Sequence, residues 1–321
     1  MSIAILAVIA GLALLVWSAD KFVMGASATA QQMGVSPLVI GMLIIGFGTS
    51  APELIVSLQA ALEGNPGLAL GNAVGSNIAN ISLILGATAL MMPIAVQSRV
   101  IKREIPLLLG IAVLLFVLMW DFHLGVVDGI ILLVLLFGII GFNFWEAQHS
   151  ESDAYLDELE EELPPEMPMK NAVIWTVVGL LLLVGSSKLL VWGAVSLAQT
   201  FGVSDLVIGL TIVAIGTSLP ELASSIAAAR KGEAELAIGN VVGSNLFNSL
   251  GVIGIPGVLA PFAVDHVVLH RDLPIMTGLT VLMLFMALGR KGPGQINRWE
   301  GVILLLMFVG YQALLFNEQV S

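Results

Sequence analysis

The second half of the chain repeats the first. Sliding the 321-residue sequence by 168 positions sets 34–86 over 202–254 with 28 identities in 53 positions and no gap. The match thins outward but continues, with Gly11 over Gly179, Pro93 over Pro261, and Arg103-Glu104-Ile105-Pro106 over Arg271-Asp272-Leu273-Pro274. After a four-residue slip Asp128-Gly129 lies over Glu300-Gly301. A duplication of this length dictates the architecture before any local signal is read.

What each copy contains follows from solvent. Hydrophobic residues make up 58% and charged residues 11% of the chain, against about 45–50% and about 25% in soluble domains. No water-soluble fold of this size hides that much apolar surface, so the solvent is a bilayer and the chain is a polytopic membrane protein. Spans of about 20 residues fit five to a half, near 3–19, 36–62, 68–93, 104–121 and 125–145, then 171–190, 204–229, 235–260, 273–289 and 299–316. Residues 1–17 lack the basic start of a signal peptide and read as the first span. Five is odd, so the two copies must cross the membrane in opposite senses. The expected fold is all-α, with ten transmembrane helices in two inverted five-helix repeats. Residues 1–145 form the first repeat, 146–170 a linker and 171–321 the second repeat.

The basic residues test this independently. With the N-terminus outside, inner loops hold Lys21, Arg99, Lys102, Arg103, Lys170, Arg230, Lys231, Arg290, Lys291 and Arg298, while outer loops hold only Lys188 and Arg271. That bias obeys the positive-inside rule. Equivalent loops have also exchanged charge, Glu63-Gly64-Asn65 standing where the second copy has Lys231-Gly232-Glu233. The expected location is the plasma membrane, a bacterial inner membrane, with both termini outside and the linker in the cytoplasm. The linker has nine acids and no Lys or Arg between 146 and 166, contributes much of the net charge of −11, and reads as a solvated spacer. So acidic a balance excludes nucleic acid as a partner.

Cysteine is absent, which removes thiolate chemistry, and the four histidines fall between the apolar runs. No HExxH, GxSxG or GxxxxGK[ST] pattern occurs, so an enzyme is not expected. Only two acids sit deep within predicted spans, Glu53 and Glu221, in the matching phrases Gly48-Thr49-Ser50-Ala51-Pro52-Glu53 and Gly216-Thr217-Ser218-Leu219-Pro220-Glu221. An acid at a helix centre costs about 2.5–3.5 kcal/mol on the insertion scale and marks a functional site by default. Pro52 and Pro220 break their helices and free carbonyls near 48–49 and 216–217, which is tolerated at membrane depth only beside a cavity or ligand. Ser50 and Ser57 share the face of Glu53, as Ser218 and Ser225 share that of Glu221.

The following span carries Gly71-Asn72-Ala73-Val74-Gly75-Ser76-Asn77-Ile78-Ala79-Asn80, repeated as Gly239-Asn240-Val241-Val242-Gly243-Ser244-Asn245-Leu246-Phe247-Asn248. Asn72, Ser76 and Asn80 line one face, as do Asn240, Ser244 and Asn248. The glycines read chiefly as packing residues. Asn72 and Asn240 divide evenly between interhelical bonding and the site, whereas Ser76, Asn80, Ser244 and Asn248 fit the site. Every candidate ligand is oxygen, so the cargo is a hard cation. Ca²⁺ accepts six to eight oxygens in flexible geometry, and the two carboxylate charges balance one Ca²⁺ or are shared among Na⁺ ions or protons.

The paired GTSxPE and GNxxGSNxxN phrases resemble the two α-repeats of the cation/Ca²⁺ exchanger superfamily, in particular its prokaryotic sodium/calcium exchanger branch, which includes bacterial inner-membrane calcium antiporters. The resemblance covers nearly the whole chain and implies ten helices around four central cation positions. It implies Glu53 and Glu221 as calcium ligands, backbone carbonyls from Thr49 and Thr217, and sodium positions completed by Ser50, Ser76, Ser218 and Ser244. Potassium-dependent relatives carry aspartate at the end of the second phrase, where this chain has Asn80 and Asn248, which argues against potassium. The linker is too short for a calcium-sensing domain. The resemblance thus implies an antiporter exchanging Ca²⁺ for Na⁺, with no cofactor and no obligate protein partner beside membrane lipid. H⁺/Ca²⁺ exchange is the close alternative, because a buried glutamate can carry a proton itself. A cation channel is a more distant one. Deleting the acids of 150–165 is expected to leave calcium uptake into vesicles within about twofold of wild type; complete loss with normal insertion would overturn the spacer reading.

Overall fold

The computed structural model describes residues 2–32, 49–96, 100–149, 167–222, 225–226, 234–288 and 294–320. The first repeat supplies α1 (Ser2–Gln32), α2 (Ala51–Leu62), α3 (Pro66–Met91), α4 (100–118) and α5 (Val126–His149). The second supplies α6 (Met169–Phe201), α7 (Asp205–Thr217), α8 (234–259), α9 (Val268–Ala287) and α10 (Arg298–Val320). The fold is the ten-span inverted repeat. Its inner segments 36–48 and 223–224 fall outside the described residues, as do the linker acids 151–166 and Arg99, Arg230, Lys231, Arg290 and Lys291.

The inversion is visible where α1 meets α6. Gly11 lies on Leu190 while Gly179 lies on Phe22. Rising numbers on one helix thus meet falling numbers on the other, and equivalent helices run antiparallel. A Cβ on Gly11 would sit 2.9 Å from the Leu190 backbone nitrogen, and one on Gly179 would sit 2.7 Å from that of Phe22. Only glycine permits that approach. The symmetry mates Ser18 and Ser186 meet in the same seam, Oγ to Oγ at 3.4 Å.

Both helices are longer than their hydrophobic stretches suggest. At 31 and 33 residues they extend about 46 Å and about 50 Å, well beyond the roughly 30 Å hydrocarbon core. Lys21, expected in a loop, therefore lies inside α1, and Lys188, counted with the outer loops at the end of the predicted span 171–190, lies well inside α6. No proline interrupts either helix, and a long side chain near the bilayer edge can keep its charge in the interface.

The repeat extends to the hydrogen-bond pattern. Wide π turns interrupt α3 at Asn80–Ile84 and α8 at Asn248–Val252, and begin α4 at Val100–Glu104 and α9 at Val268–Asp272. Each pair is separated by the 168 residues of the sequence repeat. Short antiparallel strands tie the copies together: β1 (Ile94–Ala95) pairs with β4 (Gln295–Ile296), and β2 (His123–Leu124) with β3 (Phe262–Ala263). The apolar windows of α3 and α8 are 78% and 83% buried, against 28% for α6 and 22% for α10. Hence α3 and α8 form the centre, and α6 and α10 face lipid with side chains such as Leu181, Leu306 and Phe316.

Gly71 packs against Leu206 and Gly209 on α7, and a Cβ on Gly75 would meet the Leu210 backbone at 2.8 Å. These glycines are packing residues, as their spacing suggested. The partners that symmetry assigns to Gly239 and Gly243 lie in 38–46, outside the described residues.

A third buried acid accompanies the two glutamates. Asp272, expected at the mouth of a span, is 0% exposed. It is also fully partnered: Arg271 donates from Nε at 2.7 Å and from Nη2 at 3.1 Å, and the Tyr311 hydroxyl donates at 2.9 Å. Arg271 also pairs with Glu318, so the cluster pins α10 to the start of α9. Two outcomes follow from this packing. Gly179→Leu should destabilise the protein by about 1–3 kcal/mol or more through overpacking, read as a lower melting temperature in detergent. Tyr311→Phe should cost about 1–2 kcal/mol of stability and leave the apparent calcium affinity unchanged; a shift in affinity would place this cluster in the transport machinery.

Candidate cation site

Both glutamate phrases interrupt a helix where proline demands it. Ser50 (φ −89°, ψ 1°) precedes α2, and Ser218 (φ −84°, ψ 7°) ends α7. Pro220 has no N–H to return to the Gly216 carbonyl one turn back. Beyond each break Glu53 and Glu221 turn into the centre, where both are 0% exposed.

The hydroxyls reach them across the repeat boundary. Ser218 Oγ donates to Glu53 Oε1 at 3.1 Å, and Ser50 Oγ donates to Glu221 Oε1 at 3.4 Å. Each repeat thus supplies the serine for the other repeat's carboxylate. Ser244 adds a second donor to Glu221 Oε1 at 3.4 Å. Ser76 instead lies 3.5 Å from the Ala214 carbonyl on α7. All four serines are buried.

The second oxygens of the two carboxylates, Glu53 Oε2 and Glu221 Oε2, are buried without any hydrogen-bond donor. Neither glutamate takes part in an ion pair among the described residues. An ionised carboxylate left so is penalised by several kcal/mol, and the contrast with the satisfied Asp272 is direct. A cation or a proton at these oxygens would satisfy the arrangement chemically.

The remaining predicted residues divide. Thr217 is buried, and its single hydroxyl proton has the Val213 carbonyl at 3.0 Å and Asn72 Oδ1 at 3.1 Å as alternative acceptors. Thr49 is half-buried immediately before the Ser50 break. Asn80 and Asn248 are 0% exposed, and neither bonds a glutamate. Asn80 Oδ1 and both amide atoms of Asn248 are unpartnered. Asn72 resolves toward structure: its Nδ2 donates to the Glu53 carbonyl at 3.0 Å and to Ser57 Oγ at 2.9 Å. Ser57 accordingly faces α3 rather than the carboxylate, donating to the Ala69 carbonyl.

Two residues of the quoted phrases escaped notice in the sequence. Asn245 Oδ1 accepts from Asn80 Nδ2 at 3.0 Å, and Asn77 Nδ2 donates to Ser249 Oγ at 2.8 Å. Their signal was present, because Asn77 and Asn245 are identical in the two copies and each follows a site serine.

Comparison with known proteins identifies the family and the fold. The profile of the family described as sodium/calcium exchanger protein matches residues 3–145 and 171–317. The chain is 48% identical to the "Putative antiporter CaxA" of Alkalimonas amylolytica, over 99% of this chain and 100% of that one. It is 32% identical to the sodium/calcium exchanger MaX1 of Methanosarcina acetivorans, over 95% and 96%. The fold superposes on the sodium-calcium exchanger NCX_Mj, soaked with 2.5 mM Na⁺ and 0.1 mM Ca²⁺, with a TM-score of 0.66 and 30% identity over 97% of each chain. With two matching halves around one shared pair of buried glutamates, the chain belongs to the sodium/calcium exchanger protein family.

Proposed function

We propose that this protein is an antiporter exchanging Ca²⁺ for Na⁺ by alternating access around the site of Glu53 and Glu221. The observation that carries the reading is the pair of buried, donor-less carboxylate oxygens, whose partner oxygens accept only from serine hydroxyls, with no basic side chain bonded to either glutamate among the described residues. Two such charges suit one Ca²⁺, and its flexible coordination suits ligands drawn from several helices. Thr49 and Thr217 offer carbonyls, and Asn80 and Asn248 offer amide oxygens. Ser50, Ser76, Ser218 and Ser244 supply neutral oxygens of the kind monovalent Na⁺ takes. Each hydroxyl proton that reaches a carboxylate in the empty site leaves lone pairs on the same oxygen to turn toward a cation. Competition of the two loads for one set of oxygens couples their opposite movements.

The antiparallel repeats give the site two equivalent approaches, one from each side, so rocking one bundle against the other exposes it alternately. The distribution of Lys and Arg favours a plasma-membrane protein with both termini outside and the acidic linker in the cytoplasm. No resident cofactor enters this scheme; the bound ions are the substrates.

Proteoliposomes settle the coupling. Uptake of ⁴⁵Ca²⁺ driven by an outward Na⁺ gradient, and absent with an outward H⁺ gradient alone, is the expected result. Uptake with protons alone would retain the glutamates and reassign the coupling ion, and uptake with neither gradient would overturn the proposal. Glu53→Gln and Glu221→Gln are each expected to reduce calcium flux at least a hundredfold with normal insertion. Near-normal flux at saturating calcium in either variant would place the site elsewhere.

A further inference from the structure

The pseudo-two-fold relates Asn80 to Asn248 and Asn245 to Asn77, so the bond from Asn80 Nδ2 to Asn245 Oδ1 has a mirror image, from Asn248 Nδ2 to Asn77 Oδ1. Only the first is made, at 3.0 Å. The two atoms that the mirror bond would join, Asn248 Nδ2 and Asn77 Oδ1, are both buried and without a partner. The cause lies one residue beyond Asn248. Ser249 stands where the first repeat has Ile81, and its hydroxyl accepts from Asn77 Nδ2 at 2.8 Å, with Met276 Sδ beside it at 3.4 Å. Asn77 is held on α8 and α9, and its oxygen is not delivered to Asn248.

An amide has one donor end and one acceptor end. Occupying the NH₂ of Asn80 therefore fixes its Oδ1, itself unpartnered, as an oxygen presented to an ion. Asn248 has no such constraint. Resting on the reading of this centre as a cation site, we propose that Asn245 is a positioning residue that orients the Asn80 oxygen across the repeat boundary, and that Ser249 withholds the equivalent service of Asn77 from Asn248. The two amides that close the site are thereby unequal, Asn80 a preset ligand and Asn248 one that must be oriented as the ion arrives. Neither Asn77 nor Asn245 needs to touch the ion.

The test is initial ⁴⁵Ca²⁺ uptake by the full chain in proteoliposomes, as a function of calcium concentration, for the wild type, Asn245→Leu, Asn80→Ala, the double variant and Ser249→Ala. Loss of one neutral hydrogen bond predicts a KM raised about three- to tenfold in Asn245→Leu, by a larger factor than its maximal rate falls. Because Asn245 acts through Asn80, the double variant should have the KM of Asn80→Ala alone. Additive effects would mean that Asn245 acts otherwise, and would overturn the proposal. Ser249→Ala, which frees Asn77 without adding volume, should lower KM at least twofold; an unchanged or raised KM would remove the second half of the proposal, even if Asn245→Leu does not insert. Wild-type protein that takes up no calcium would fail the functional reading itself, a result distinct from active wild type with additive variants.

Discussion

Two carboxylates in the middle of an apolar bundle, each with one oxygen that no donor reaches, set the terms for the rest of this protein. Ionised and without a counter-charge, each would be penalised by several kcal/mol for its burial, and the surrounding protein groups offset this only in part. Serine hydroxyls donate to Oε1 of Glu53 and Glu221 and nothing donates to Oε2. Asp272, by contrast, has both oxygens satisfied by Arg271 and Tyr311. The proline breaks stand one residue before each glutamate, the close glycine contacts join α3 to α7, and the π turns fall at Asn80 and Asn248 on the two central helices.

Much of this was legible in the sequence because the copies annotate one another. A lone GTSxPE would be a helix with an awkward proline. Two copies 168 residues apart, within halves that each hold an odd number of spans, imply a shared centre approached from both sides. The face formed by Asn72, Ser76 and Asn80 was likewise predictable from helical period, since the π turn that would spoil the phase begins only at Asn80.

What escaped the reading is equally physical. Hydropathy places the ends of apolar runs, whereas helices continue past them, so α1 carries Lys21 inside and α6 runs on eleven residues beyond the predicted end at 190. Asp272 stands one residue before the predicted span 273–289, and its burial depends on a tyrosine 39 residues away on α10. Period shows that Asn72 and Ser57 face inward, but not that they satisfy each other and the Glu53 carbonyl. That distinction depends on which polar atoms already have partners, a property of the folded chain and not of helical period.

The crossed pairing of serine and glutamate has a consequence for how such a molecule arises. Neither five-helix half holds a finished carboxylate environment, because Glu53 is served by Ser218 and Glu221 by Ser50. A single unduplicated half would have to meet a second copy of itself, inserted upside down, to assemble the same centre. Joining the two in one chain fixes their ratio at one to one and ensures that the opposed orientations always occur together. It also frees each copy to diverge: Ser249 against Ile81, and Tyr311 with no tyrosine in the first repeat's final helix, are changes that identical subunits cannot make one at a time.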